Sequence, residues 1–184
     1  MCKKYILFVA HKFKGGLALY QVEDYVVYGN EGVCQITAIE ALDLTGMNEK
    51  KIYYVLQPVY RSGTVYTPVD TKVSMRPVIT KEAAERLISE IPTIQAETDG
   101  PTNATFLKNK YTEMLLANDC SELIQIIKTV TTKEDIAEKK NKKIGQTDKY
   151  YLRKAEDLLY SEFSIALDMP ANQVHTYIKE KMEA

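Results

Sequence analysis

The sequence predicts an α+β protein, with a small antiparallel β-barrel followed by an all-α helical bundle. Three observations carry this. Between Val22 and Val78 the hydrophobic residues fall in short runs, several with period two, closed by turn residues. After Pro77 the period becomes helical and stays so to the end of the chain. The chain has 184 residues, 45% hydrophobic and 27% charged, enough for two small cores and ordinary for a globular protein. Whole-chain disorder and a collagen-like fibre are excluded. The spacing divides the chain into an N-terminal extension (1–19), a barrel (20–79), a helix with a linker (80–103) and a helical domain (104–184).

The extension has two readings. Lys3 and Lys4 precede the apolar run Tyr5 to Ala10, but this run is too short for a signal peptide and no small-residue cleavage site follows it. Lys14-Gly15-Gly16 is encodable as AAA-GGA-GGA, which contains a ribosome-binding sequence, and Leu19 as TTG, an alternative bacterial start. Residues 1–18 are then either a leader translated in error or a genuine strand or arm.

The strands follow in order. Tyr25 to Tyr28 is a β-branched and aromatic run closed by Gly29 and Gly32, which read as turn glycines rather than a phosphate cradle. In Val33 to Glu40, Cys34, Ile36 and Ala38 alternate with Gln35 and Thr37, so one face is buried. Asp43 to Lys50 is a loop. Ile52 to Leu56 is continuously apolar and suits a strand covered on both faces. Arg61-Ser62-Gly63 signals a tight hairpin, and Thr64 to Val69 is the returning strand. Short strands with no helix between them suggest a small barrel.

For the helices, Thr80 is the expected cap of a segment with Ala84, Leu87, Ile88 and Ile91 on one stripe, stopped by Pro92. Residues 92–103 are a linker or an ordered loop. Leu107, Tyr111, Met114 and Leu115 form the next stripe. Leu123, Ile124, Ile127 and Val130 form another, with Ser121 as cap. Lys139 to Gly145 is a charged turn. Thr147 is the expected cap of a long helix carrying Leu152, Ala155, Leu158, Leu159, Phe163 and Ala166. Pro170 breaks it, and Val174, Tyr177 and Ile178 mark a last helix.

Catalytic chemistry is not evident. The sequence has no P-loop, GxGxxG, nucleophile elbow or HExxH. His11 and His175 are the two histidines, and both read as surface residues rather than general bases or metal ligands. Cys2, Cys34 and Cys120 are far apart, without a CxxC pair, and read as reduced thiols in a cytoplasmic protein. No run is long enough to span a membrane. A binding protein without a cofactor is expected, and an enzyme is not.

Net charge is −1, from 24 Lys+Arg against 25 Asp+Glu, yet the charge is uneven. Lys139, Lys140, Lys142, Lys143, Lys149, Arg153 and Lys154 meet one acid, Asp148, with Tyr150 and Tyr151 among them. A helix N-terminus and basic side chains suit phosphate contacts. The stretch is read as that or as a solvated charged loop.

Glu23 to Glu40 (EDYVVYGNEGVCQITAIE), Lys51 to Val59 (KIYYVLQPV) and Thr64 to Asp70 (TVYTPVD) resemble the N-terminal domain of the CarD-like transcription regulators, a module shared with transcription-repair coupling factor. Ser121 to Val130, Thr147 to Leu167 and Pro170 to Met182 resemble the helical domain of the family's low-GC Gram-positive branch. The resemblance implies a Tudor-like (SH3-like) barrel that docks on the β subunit of bacterial RNA polymerase. It implies a helical domain that lies on promoter DNA, with weak sequence specificity, and stabilises the open complex. The implied protein is a cytoplasmic monomer.

The resemblance also assigns residues. Leu42, Leu44 and Tyr66 are the implied polymerase-binding residues, at or near positions where relatives often carry arginines. They are exposed anchors or core. Leu107, Lys108, Lys110, Lys149, Arg153 and Lys154 are the implied DNA-binding residues. Relatives place a tryptophan wedge near Leu107, and this sequence has no tryptophan, so Leu107 is either an apolar wedge or a core residue. The competing class is a protein–protein adaptor that does not contact DNA. The helical half favours it, because beyond residue 101 basic and acidic residues are equal in number.

Overall fold

The structure is a computed structural model and describes residues 20–42, 51–101 and 103–183. The proposed leader, Cys2, His11 and Leu44 lie outside the described residues.

Five strands form one sheet: β1 (Tyr25–Tyr28), β2 (Gly32–Leu42), β3 (Lys51–Pro58), β4 (Val65–Pro68) and β5 (Met75–Pro77). Neighbours are antiparallel in the order β4-β3-β2-β1-β5. The barrel expectation is corrected here, because β4 and β5 are the sheet's two edges and the described sheet is open. Both edge strands are short and end in proline, which has no N–H to extend a ladder. The arrangement remains consistent with a Tudor-like fold.

Glycine makes the β1–β2 connection. Gly29 opens a short 3-10 turn and Gly32 closes it, at φ 45° and 77°, conformations that disfavour a side chain. Along β2 the expected alternation holds through Ile36 and then slips. A bulge between Ile36 and Ala38 shifts the register against β3, and Thr37 donates its hydroxyl to Val55 O at 3.1 Å. An inserted residue flips the side-chain phase. Ile39, not Ala38, therefore packs on the sheet core of Val26, Cys34, Ile36, Tyr54 and Leu56. On β3, Tyr53 to Leu56 are all buried, as a strand covered on both faces requires.

The helices are α1 (Lys81–Glu90), α2 (Ala104–Leu116), α3 (Cys120–Lys139), α4 (Gln146–Ala166) and α5 (Ala171–Glu183). Thr80 caps α1, its hydroxyl accepting from Ala83 N at 3.2 Å. Asp119, not Ser121, caps α3: its carboxylate accepts from Ser121 N at 2.7 Å. Gly145, not Thr147, stands at the α4 N-cap and offers no side-chain cap, so Thr147 falls inside the first turn. The stretch after α1 is an ordered loop. Lys128 Nζ donates to Ile91 O at 2.6 Å, and Thr129 Oγ1 accepts from Glu97 N at 3.1 Å.

One core joins all five helices, including Ala84 and Ile88 of α1, Leu107, Tyr111 and Leu115 of α2, Ile126 of α3, Phe163 of α4 and Val174 of α5. Burying one such large side chain contributes about 1.5–3 kcal/mol. Among the described residues no helix is long and apolar enough to cross a membrane.

The sheet and helices meet along the second half of α4. Arg76 of β5 reaches Glu162, which is 1% exposed, with both terminal guanidinium nitrogens, and its Nε donates to Asn118 O at 2.6 Å. Ile79 N and Cys120 Sγ also donate to Glu162, at 3.2 Å each. Burial alone would lower the Arg76 pKa, but the hydrogen bond and charge of Glu162 outweigh it and raise the value. Burial, with Glu162 adding, pushes the Cys120 thiol well above its ordinary range.

Candidate functional site

The first turns of α4 are fixed from below by a polar cluster. Asp148, buried, accepts from Tyr111 OH of α2 at 2.8 Å and from Lys133 Nζ of α3 at 3.2 Å. Lys133 also donates to Tyr111 OH at 3.1 Å and lies 5.7 Å from the centre of its ring. Burial first, then the hydrogen bond to Asp148, raises the Tyr111 phenol well above its usual pKa. Three residues on, Tyr151 is buried and exchanges a 2.7 Å hydrogen bond with Thr112. With Asp148 and Tyr151 facing inward, helical geometry turns Lys149, Tyr150 and Arg153 outward.

Those residues line a cleft of about 520 Å³. Gln146, Lys149, Tyr150, Arg153, Lys154 and Asp157 form one stripe of α4, and Arg61, from the turn between β3 and β4, faces them from the sheet. Arg61 pairs with Glu31 at 3.8 Å, both side chains being exposed. Such a pair is worth little in water and does not hold Arg61 back from a ligand. A second groove of about 350 Å³ adjoins the cleft, sharing Arg61 and Asp157 and lined by Tyr60 and Tyr160. Burial, with Glu156 adding, pushes the Tyr160 phenol up to about 12. The cleft holds more cations than anions, so it fits an anionic ligand. It lacks a nucleophile–base pair. Among the described residues no group of His, Cys, Asp or Glu could hold a metal ion.

The structure brings Lys149, Arg153 and Lys154 together and adds Arg61, Gln146 and Tyr150, which sequence reasoning did not assign to the site. Arg61 was beyond reach because its proximity depends on how the sheet seats on α4. Tyr150, set between basic residues, did carry a signal. Lys108 is exposed on α2, and Lys110 pairs with Glu97; neither lines the cleft. Leu107 as a wedge is corrected: it is 7% exposed and sits in the helical core. Reaching a groove would require unpacking that core. Its neighbour Phe106 is 42% exposed.

On the sheet, Tyr66 lies on edge strand β4 opposite Val55 and is 49% exposed, so it is not core. Leu42 is half-buried at the end of β2, paired with Lys51. Residues 20–79, which contain all five strands, match the family model described as the CarD-like/TRCF RID domain. The N-terminal unit is a CarD-like domain. The match stops immediately before the α1 cap Thr80, so the helices lie outside it. No match is found among the curated proteins. The CarD-like domain belongs to a class that interacts with the RNA polymerase β subunit. Among the described residues, the strand carrying Tyr66 is an edge of the sheet.

Proposed function

We propose that this protein is a bacterial transcription regulator that docks on the RNA polymerase β subunit through its CarD-like domain and contacts promoter DNA through α4, stabilising the open complex. The observation that supports docking most directly is the family match over residues 20–79. The exposed ring of Tyr66, on a strand at the edge of the described sheet, offers an anchor for a partner. The basic stripe of α4 supports the DNA contact, because arginine and lysine beside a helix N-terminus suit phosphates. The protein acts as a cytoplasmic monomer and binding factor, not as an enzyme, and its helical half is of the low-GC Gram-positive type.

A second reading is an adaptor that bridges polymerase to another protein without touching DNA. The equal number of basic and acidic residues beyond position 101 favours it. Docking is tested by capturing the β subunit with the wild-type chain and with Tyr66→Ala. Loss of an anchor tyrosine is expected to weaken the complex by about 2 kcal/mol with Tm nearly unchanged. Undiminished capture by the variant would remove Tyr66 from the interface, and failure of the wild type to capture β would remove the docking reading.

A further inference from the structure

One stripe of α4 faces the sheet along its whole length, and its two halves differ. The C-terminal half is seated. A Cβ on Gly32 would stand 3.0 Å from Leu158 Cδ2, Tyr60 OH and Ser164 Oγ share a 2.5 Å hydrogen bond, and Arg76 holds Glu162. The N-terminal half lines the basic cleft, with Arg61 facing it from the β3–β4 turn. The adjoining groove shares Arg61 and Asp157 with that cleft. Together they make a trough between the two units, cationic at one end and flanked by tyrosines along its course.

We propose that this trough holds a single strand of DNA, with phosphates at Arg61, Lys149, Arg153 and Lys154 and a base stacked on Tyr150. The proposal rests on the DNA-contact reading of α4 and narrows it from duplex to unpaired strand. Tyr150 decides the ligand class. It is 58% exposed in the middle of the cations. Tyr151 meets its ring edge-to-face at a centroid distance of 5.0 Å and is itself bonded to Thr112, so the exposed ring is braced. Tyr60, 48% exposed, is tethered through its hydroxyl to Ser164 and offers a second ring further along. Rigid rings beside a basic track are what single-strand binding uses, since every unpaired base has a π-face to stack. A duplex keeps those faces inside its own stack. An acidic peptide or free polyphosphate would meet the cations and leave the rings unused.

The test is fluorescence anisotropy of the full chain with labelled oligo(dT) of about 12 nucleotides and with a blunt duplex, at low salt. The wild type is expected to prefer the single strand. Tyr150→Ala is expected to weaken oligo(dT) binding about tenfold and leave duplex binding unchanged, with Tyr150→Phe retaining affinity. Arg61→Ala should weaken oligo(dT) binding and flatten its salt slope by about 0.7. Equal loss on both DNAs in Tyr150→Ala, no loss on either, or an Arg61→Ala variant with wild-type oligo(dT) binding would overturn the proposal. So would displacement of the strand by poly-glutamate as readily as by unlabelled oligo(dT). Duplex binding without strand preference removes this inference and leaves the DNA-contact reading standing. Binding of neither DNA, with polymerase capture intact, removes both.

Discussion

Arg76 and Glu162 come from opposite halves of the chain, and their pairing ties the sheet to α4. Glu162 is almost fully buried and Arg76 a quarter exposed. A buried pair contributes little beyond a hydrophobic replacement, but removing one partner strands the other. Arg76→Ala is therefore expected to cost about 3 kcal/mol, read as a lower midpoint in urea. The double variant Arg76→Met/Glu162→Leu should recover most of that. A double variant as unstable as the single would show that the charges themselves hold the units together. The thiols carry a separate pH signature. Cys34 and Cys120 are free and lie in different cores. Burial pushes the Cys34 thiol up to about 11 from an ordinary 9.0. Its thiolate forms first in the unfolded chain, so the folded protein binds more protons between these values and stability falls with rising pH there. Below pH 9 this contribution is constant. Folded protein at pH 8 is expected to leave both thiols unmodified by iodoacetamide, and unfolded protein to react at both. Rapid labelling of Cys34 in the fold would show that its strand opens.

The first α2 turn separates a core residue from its exposed neighbour, which hydrophobicity alone could not do. Leu107→Ala is expected to cost about 2–5 kcal/mol, whereas Phe106→Ala should change stability by about 0.5 kcal/mol or less. Calorimetric melting of the two variants checks this, and a costly Phe106→Ala with a mild Leu107→Ala would invert the assignment. Sequence spacing had placed Leu107, Tyr111 and Leu115 on one stripe, and that stripe is buried. Strands were legible where residues alternate or run continuously apolar, as in Cys34 to Ile36 and Tyr53 to Leu56. Legibility failed at Thr37, because a bulge is a pairing property and leaves no mark in one strand alone. Caps failed by two residues at α3 and α4, where several residues compete: Asp119 lies two positions before Ser121, and Gly145 supplies no side chain to read. Half of the candidate site was legible as a cluster of charge. Arg61 was not, since only tertiary contact brings the β3–β4 turn opposite α4.

At the scale of the molecule the two units are fixed to each other. The sheet presents Tyr66 on an outer edge, and α4 presents its basic stripe beside the contact that seats it on the sheet. A partner held by the sheet thereby sets where the stripe points, with no adjustable linker between them. Lys149 and Arg153 are four residues apart, share a face and line the cleft. If both contact phosphates, Lys149→Ala/Arg153→Ala should shorten the open-complex lifetime at every promoter alike, because phosphate contacts carry no base sequence. Each lost contact removes counterion release, so the salt dependence of binding should flatten by about 1.4 units on a single strand and about 1.8 on a duplex. Capture of the β subunit should be unchanged, since neither residue lies on the sheet. Lifetime measurements over a salt series, with and without the double substitution, separate the two readings. A lifetime and slope equal to wild type, with capture intact, would take the α4 stripe out of DNA contact and leave the adaptor, which needs no phosphate at these cations.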